Sequence, residues 1–263
     1  MIKKSFKYTL QIAIVTFMAI TSLGVGAQTP NDSVTISGRV TDFKGIPIDS
    51  CTIMWQNERF EPIAQALTDI NGFYSVRISK GKYNSVTAIY WPSYAQNAMT
   101  NGLPESEHRL EFWGWNIIAD RDTTLDIRYH RMEAYGMHAF YIPGATPAFQ
   151  IYVRPMSLTR TYEWMVKQQS NTNDTRSAKL SPSHDEIRVR VEIDGKEVAI
   201  LHKQEIEEYI SDNQIFNAYL LTVAKPQYLT TWPYWVIKVE LMDLENGDRG
   251  EGLYYMEKPD YVQ

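Results

Sequence analysis

The sequence predicts an all-β protein built as two sandwich-like units. Runs that alternate apolar and polar residues recur from Val34 onward. Turn residues interrupt them about every 8–12 positions, the spacing of sandwich or barrel strands. The chain also carries 17 Tyr and 7 Trp, with β-branched residues in short clusters, and these side chains suit a pleated, half-buried surface.

The first 27 residues stand apart from the fold. A basic start (Lys3, Lys4, Lys7) precedes an apolar run from Ile12 to Val25 and the small-residue end Val25-Gly26-Ala27. That order predicts a secretory signal peptide cleaved after Ala27. The apolar run is shorter than the roughly 20 residues of a spanning helix, so no membrane-spanning segment is expected after cleavage. Cleavage removes three lysines and no acid, moving the formal charge from −5 to −8. So acidic a chain lacks the basic patch of a nucleic-acid binder and the basic run of a lipid-surface binder. The only cysteine, Cys51, excludes an intrachain disulfide, and the alternating run "SCTIMW" makes it a core thiol rather than a nucleophile.

The strands then follow in order. "VTISGRVTD" stops at Asp42, and "IDSCTIMWQ" resumes after Gly45 and Pro47. "IAQALTD" stops at Asp69, "FYSVRIS" follows Gly72, and "KYNSVTAIYW" ends at Pro92. Residues 91–121 break the pattern with two prolines, an Asn-Gly pair and large aromatics, and read as an ordered insertion. "DTTLDIRYHRM" resumes, with Leu125, Ile127 and Tyr129 on one face. "AYGMHAFYI" and "AFQIYVRPMSL" alternate, and the polar stretch Gln168 to Ser183 reads as an exposed loop. "EIRVRVEIDGKEVAIL" predicts a hairpin about Asp194-Gly195, the pair a type I′ turn prefers. "HKQEIEEYISDNQ" predicts a short helix near 203–211, from Ile206, Tyr209 and Ile210 at helical spacing. A last hairpin is expected about Asn246-Gly247.

The first half resembles the carboxypeptidase regulatory-like domain, a transthyretin-like (prealbumin-like) β-sandwich. The matching elements are Gly38-Arg39-Val40-Thr41-Asp42, Gly45-Ile46-Pro47-Ile48, Thr68 to Tyr74, and Lys80-Gly81-Lys82-Tyr83. They follow that family's G-x-V-x-D, G-x-P-L, T-D-x-x-G-x-F and P-x-G-x-Y phrases in order and spacing. Ser50-Cys51-Thr52 departs from the family's "PGATV"-like second strand. The resemblance spans residues 34–132 with the 91–121 insertion, leaving 133–260 as a second β-rich unit without a recognised family. It implies a non-catalytic module of the kind that accompanies peptidases, outer-membrane transporters and glycan-handling proteins of Gram-negative bacteria.

A search for chemistry yields no assembled catalytic or metal site and no cofactor motif. His130 and His138 are the one histidine pair a shared metal could use, and no carboxylate pattern supports it. Asp243, Glu245, Asp248 and Glu251 invite a calcium reading, but the EF-hand offsets are absent and Asn246-Gly247 explains the stretch as a turn. A hydrolytic site from Glu186, Glu192 or Asp243 is the enzymatic alternative. The candidate ligand contacts are Trp91, Tyr94, Phe112, Trp113 and Trp115, whose rings can stack on sugars or pack a seam. The expectation is therefore an exported, non-catalytic binding or scaffolding protein of the periplasm or cell surface of a Gram-negative bacterium, with an envelope protein or glycan as partner.

Overall fold

Alternation and turn chemistry settle most of the strands where they were expected. The structure, a computed structural model of the chain, describes residues 32–142, 147–170, 179–211, 214–227 and 231–258. The expected signal peptide lies outside them, as do residues 171–178 of the polar stretch. The first half contains β1 (Ser33–Thr41), β2 (Thr52–Gln56), β3 (Pro62–Leu67), β4 (Phe73–Ser79) and β5 (Gly81–Ile89). A one-turn helix (Trp91–Ser93), α1 (Ala95–Asn101) and a second one-turn helix (Glu105–Glu107) precede β6 (Phe112–Ala119). Two short strands follow, β7 (Thr123–Thr124) and β8 (Ile127–Arg128). The rest comprises β9 (Met132–Phe140), β10 (Ala148–Ser157), α2 (Leu158–Ser170), β11 (Ile187–Ile193) and β12 (Lys196–Glu197). The last strands are β13 (Ile200–Ser211), β14 (Gln214–Ala224), β15 (Tyr234–Asp243) and β16 (Arg249–Glu257).

Three sheets result. The longest has the order β12-β11-β15-β16-β6-β5-β2-β3 and draws strands from both halves of the chain. Its join is the parallel pair β6–β16, with Trp113 opposite Gly252 and Trp115 opposite Tyr254. A small sheet, β4-β1 with β7 and β8 beside β1, packs on one end of it, and β13-β14-β10-β9 packs on the other. Successive residues of a strand face opposite sides, and β16 uses both. Leu253 and Tyr255 belong to the core shared with β1 and β4, whereas Tyr254 and Met256 belong to the core shared with β9, β10 and β14. The two small sheets therefore cover opposite faces of the long one. Close approach of β9 to β16 requires a residue without a side chain at Gly250, where a Cβ would lie 1.9 Å from the Met132 carbonyl oxygen.

The two "TD..G" phrases form the same turn. Asp42 Oδ1 accepts from the Lys44 and Ile46 amides at 2.8 and 2.9 Å, and Asp69 Oδ1 accepts from Asn71 and Phe73 at 2.9 Å each. Gly45 and Gly72 take φ of +81° and +79°, where a Cβ is disfavoured. In both, the carboxylate is committed to the backbone. Cys51 is fully buried as expected, its Sγ 3.4 Å from the Tyr129 hydroxyl, and burial pushes the thiol up to about 12.

Three expectations need correction. Residues 203–211 form no helix; they lie within β13, paired along its length with β14. The spacing of Ile206, Tyr209 and Ile210 fits a helix, but β14 ("QIFNAYLLTVA") offers a long partner, and cross-strand pairing overrides a weak local preference. The break at 91–121 ends early, because Phe112–Ala119 is a central strand between β5 and β16. Its consecutive large aromatics hide the alternation, since both faces of this strand are apolar. Finally, α2 falls where the sequence predicts no element over 159–167, with only its ends read, Leu158 as strand and Gln168 to Ser170 as loop. Ser157 Oγ caps it by accepting from the Arg160 amide at 3.2 Å, and Asp248 Oδ2 accepts from the Thr159 amide at 2.9 Å. The second cap comes from a distant hairpin, which local sequence does not reveal.

The paired turns separate two costs of replacing glycine. Gly45→Ala meets no atom within 4 Å, whereas at Gly72 the new Cβ would lie 2.4 Å from the Val40 carbonyl oxygen. Urea denaturation is expected to show about 1 kcal/mol lost for Gly45→Ala, from the positive φ alone. Gly72→Ala should lose clearly more, roughly 2–4 kcal/mol, because backbone must also move.

Candidate functional site

Strand alternation divides the five aromatic candidates. Phe112 is 2% exposed and belongs to the core shared with β1 and β4, so it offers no ligand surface. Trp113 and Trp115, two residues apart on β6, lie on the other face. Their rings stack with centroids 4.9 Å apart and planes 11° from parallel. Tyr135 of β9 meets both edge-on at 5.4 and 5.5 Å, and Phe60 meets both at 6.2 Å. Phe60 sits in the β2–β3 turn at φ +60°, a conformation costly for a bulky residue. Gln56 supports it by donating Nε2–H to the Phe60 carbonyl at 3.2 Å. Four rings in edge-to-face and stacked contact form a packed seam between the long sheet and β9.

Beside this stack lies a pair of buried acids. Glu111, just before β6, and Glu133 of β9 are only 8% and 6% exposed. Trp113 donates Nε1–H to Glu111 Oε1 at 3.3 Å, while Glu111 Oε2 is buried without a hydrogen-bond donor. Burial pushes both carboxyls above the usual range, and for Glu133 the facing Glu111 adds to the rise while Arg154 opposes it. Tyr94 packs against the same pair, and burial with the Glu111 charge pushes its hydroxyl up. These acids carried no visible motif; only the β6–β9 contact places them together.

Trp91 is different. Its indole is 41% exposed and meets the Tyr94 ring edge-on at 6.0 Å. It borders an open depression of about 340 Å3 with Pro92, Asn97, Thr100 and Asn101. The supporting segment is tied down at several points. Ala95 donates its amide to the Arg109 carbonyl, Arg109 to Ser93, and Leu110 to His130, at 3.1, 2.8 and 2.8 Å. His108, 4% exposed, bridges the Leu103 carbonyl at 2.9 Å and the Tyr162 hydroxyl of α2 at 2.7 Å.

The other sequence candidates are engaged elsewhere. Asp243 and Glu245 accept from Arg160 at 2.6 and 2.8 Å, Asp248 from Arg131 at 3.0 Å, and Glu251 from Arg128 at 2.8 Å. Arginines thus occupy the four carboxylates of the calcium reading. Glu186 also pairs with Arg160, and Glu192 with Arg190. His138 Nδ1 lies 3.1 Å from the Tyr254 hydroxyl, and burial with the charges of Arg109 and Arg131 lowers His130 to about 4.

No family model matches the chain, and no curated protein matches it either. Among solved structures it is similar to a DUF3823 family protein of Bacteroides ovatus, with 11% identity over 86% of this chain and 97% of that one, at a TM-score of 0.25. A DUF3823 family protein of Parabacteroides merdae gives 10% identity over 86% and 99%, at a TM-score of 0.26. The major pilin subunit of Bacillus cereus gives 10% identity over 85% and 69%, at a TM-score of 0.25. Likeness at this level carries no argument about function.

The seam and the exposed indole predict opposite phenotypes. Trp113→Ala is expected to lower unfolding free energy by roughly 2–4 kcal/mol, whereas Trp91→Ala should stay within about 0.5 kcal/mol, both read by denaturant melts. The acid pair sets a pH dependence. A carboxyl whose folded pKa is raised binds its proton more tightly in the folded state, so its contribution is full below the ordinary glutamate value of 4.5 and is lost as pH rises above it. The melting temperature should therefore fall as pH rises above about 4.5, and Glu133→Gln should flatten that fall and raise stability on its high-pH side.

Proposed function

We propose that the chain is an exported, non-catalytic binding or scaffolding component of a bacterial envelope, and that it meets its partner through the segment carrying Trp91 and Tyr94. The carrying observation is the contrast among its aromatic rings. Trp113 and Trp115 are spent on packing, while Trp91 stands in the open on a segment held by hydrogen bonds to β8–β9 and α2. An exposed large aromatic on a fixed support is what recognition surfaces use as an anchor.

Export rests on the basic, apolar and small-residue order of residues 1–27. Membership of the regulatory-like family over 34–132 is supported by the two Asp-held turns at its motif positions. A second unit over 133–260 would share β15 and β16 with the first core, which includes Tyr234, Leu253 and Tyr255. The hydrolytic alternative receives no support, because its three carboxylates are each held by an arginine.

Two measurements test this reading. Mass spectrometry of the protein recovered after expression in a Gram-negative host should find a mature N-terminus at Gln28 in the envelope fraction. Cross-linking in envelope extracts should capture a partner with the wild type and lose it with Trp91→Ala. Capture undiminished by Trp91→Ala removes the proposed contact surface, and an intact Met1 in the cytoplasm removes export.

A further inference from the structure

The geometry points to a neutral saccharide chain as the ligand of the Trp91 depression, a ligand class that rests on the binding reading above. The lining residues are one exposed indole, one proline, two asparagines and one threonine. None carries a charge, in a chain whose charged residues are 22% of the total, so a ligand recognised mainly by ion pairing does not fit.

The lining has a built order. Asn97 and Asn101 lie four residues apart on α1 and therefore on one face, with Thr100 beside them. Ala98, about a quarter-turn round α1 from Asn97, is fully buried and fixes which side of the helix looks out. Both amides are oriented from beneath. Asn97 donates Nδ2–H to the Trp91 carbonyl at 3.0 Å, and Asn101 donates Nδ2–H to the Pro92 carbonyl at 3.2 Å. Each amide nitrogen commits one N–H to the backbone that carries the indole, which orients the amide and leaves Oδ1 and the second N–H to meet ligand hydroxyls.

Indole and acceptors together match a sugar ring. A pyranose has an apolar face of axial C–H bonds that stacks on an aromatic plane and an equatorial rim of hydroxyl donors. Trp91 meets Tyr94 with planes 73° apart, so the Tyr94 ring does not lie stacked on the indole. Pro92 limits backbone freedom beneath it, so little ordering entropy is lost on binding. The depression is open rather than enclosed, which suits a residue within a polymer better than a free small molecule. The seam of Trp113 and Trp115 lacks this arrangement, since each of those rings is stacked on the other.

The test uses the full mature chain and defined polymers. Calorimetry and affinity electrophoresis are run against a soluble β-glucan, a galactomannan and a xylan, with polygalacturonate as the charged counterpart. At least one neutral polymer is expected to bind, about tenfold or more weaker with Trp91→Ala, nearly as well with Trp91→Tyr, and with unchanged melting temperatures for both. Trp113→Ala, if folded, should retain binding. Binding of polygalacturonate alone, or binding of a neutral polymer that Trp91→Ala leaves unchanged, overturns the inference. If no polymer binds while Trp91→Ala still abolishes envelope cross-linking, the saccharide is wrong and the partner is a protein. If Trp91→Ala affects neither, the saccharide and the binding surface both fall.

Discussion

Three residue pairs join β6 to β16 in parallel, Trp113–Gly252, Leu253–Gly114 and Tyr254–Trp115, and most of the molecule depends on that join. Parallel neighbours cannot be linked by a tight turn, and here 139 positions separate Trp113 from its partner Gly252. Because they pair, strands from both halves become one eight-stranded sheet. Because strand residues alternate, β16 then serves two cores on opposite faces. Glycines at 250 and 252 let β9 approach β16 closely; a Cβ at Gly252 would fall 2.7 Å from the Ala134 Cβ.

The same join produces the aromatic seam. Placing β9 over β16 brings Tyr135 and Glu133 against Trp113, Trp115 and Glu111. Burial raises both carboxyls of this low-dielectric contact, and for Glu133 the facing Glu111 adds to the rise, because two charges there would repel without solvent to screen them. Nearby, the hairpin between β15 and β16 is organised by charge. Its carboxylates hold Arg128, Arg131 and Arg160, and Asp248 also caps α2. The acidic run is thus structural, and Trp91 is left as the exposed aromatic of its segment.

Some of this was legible locally. The turns at Asp42 and Asp69 were readable because Asp followed by Gly at three residues closes a turn within five positions, whatever surrounds it. The hairpin at Asp194-Gly195 was readable for the same reason, and those residues take φ of +49° and +75°. The helix expected near 203–211 failed because its pattern suited either structure and β14 decided between them. β6 was obscured because a central strand with apolar residues on both faces loses the two-residue rhythm.

What the sequence determined by itself was the strand inventory of most of the chain, its turns and the burial of Cys51. These follow from interactions between residues a few positions apart. What only the tertiary structure decided was the shared sheet, the Glu111–Glu133 pair, the arginine partners of the acidic hairpin, and which aromatic ring of five faces solvent in the open. Each of those depends on contacts between residues far apart in sequence, such as the 22 positions separating Glu111 from Glu133 or the 139 separating Asn116 from the Tyr255 carbonyl that accepts its amide. Local periodicity reports which face of a strand is apolar, but the fold chooses what is laid against that face.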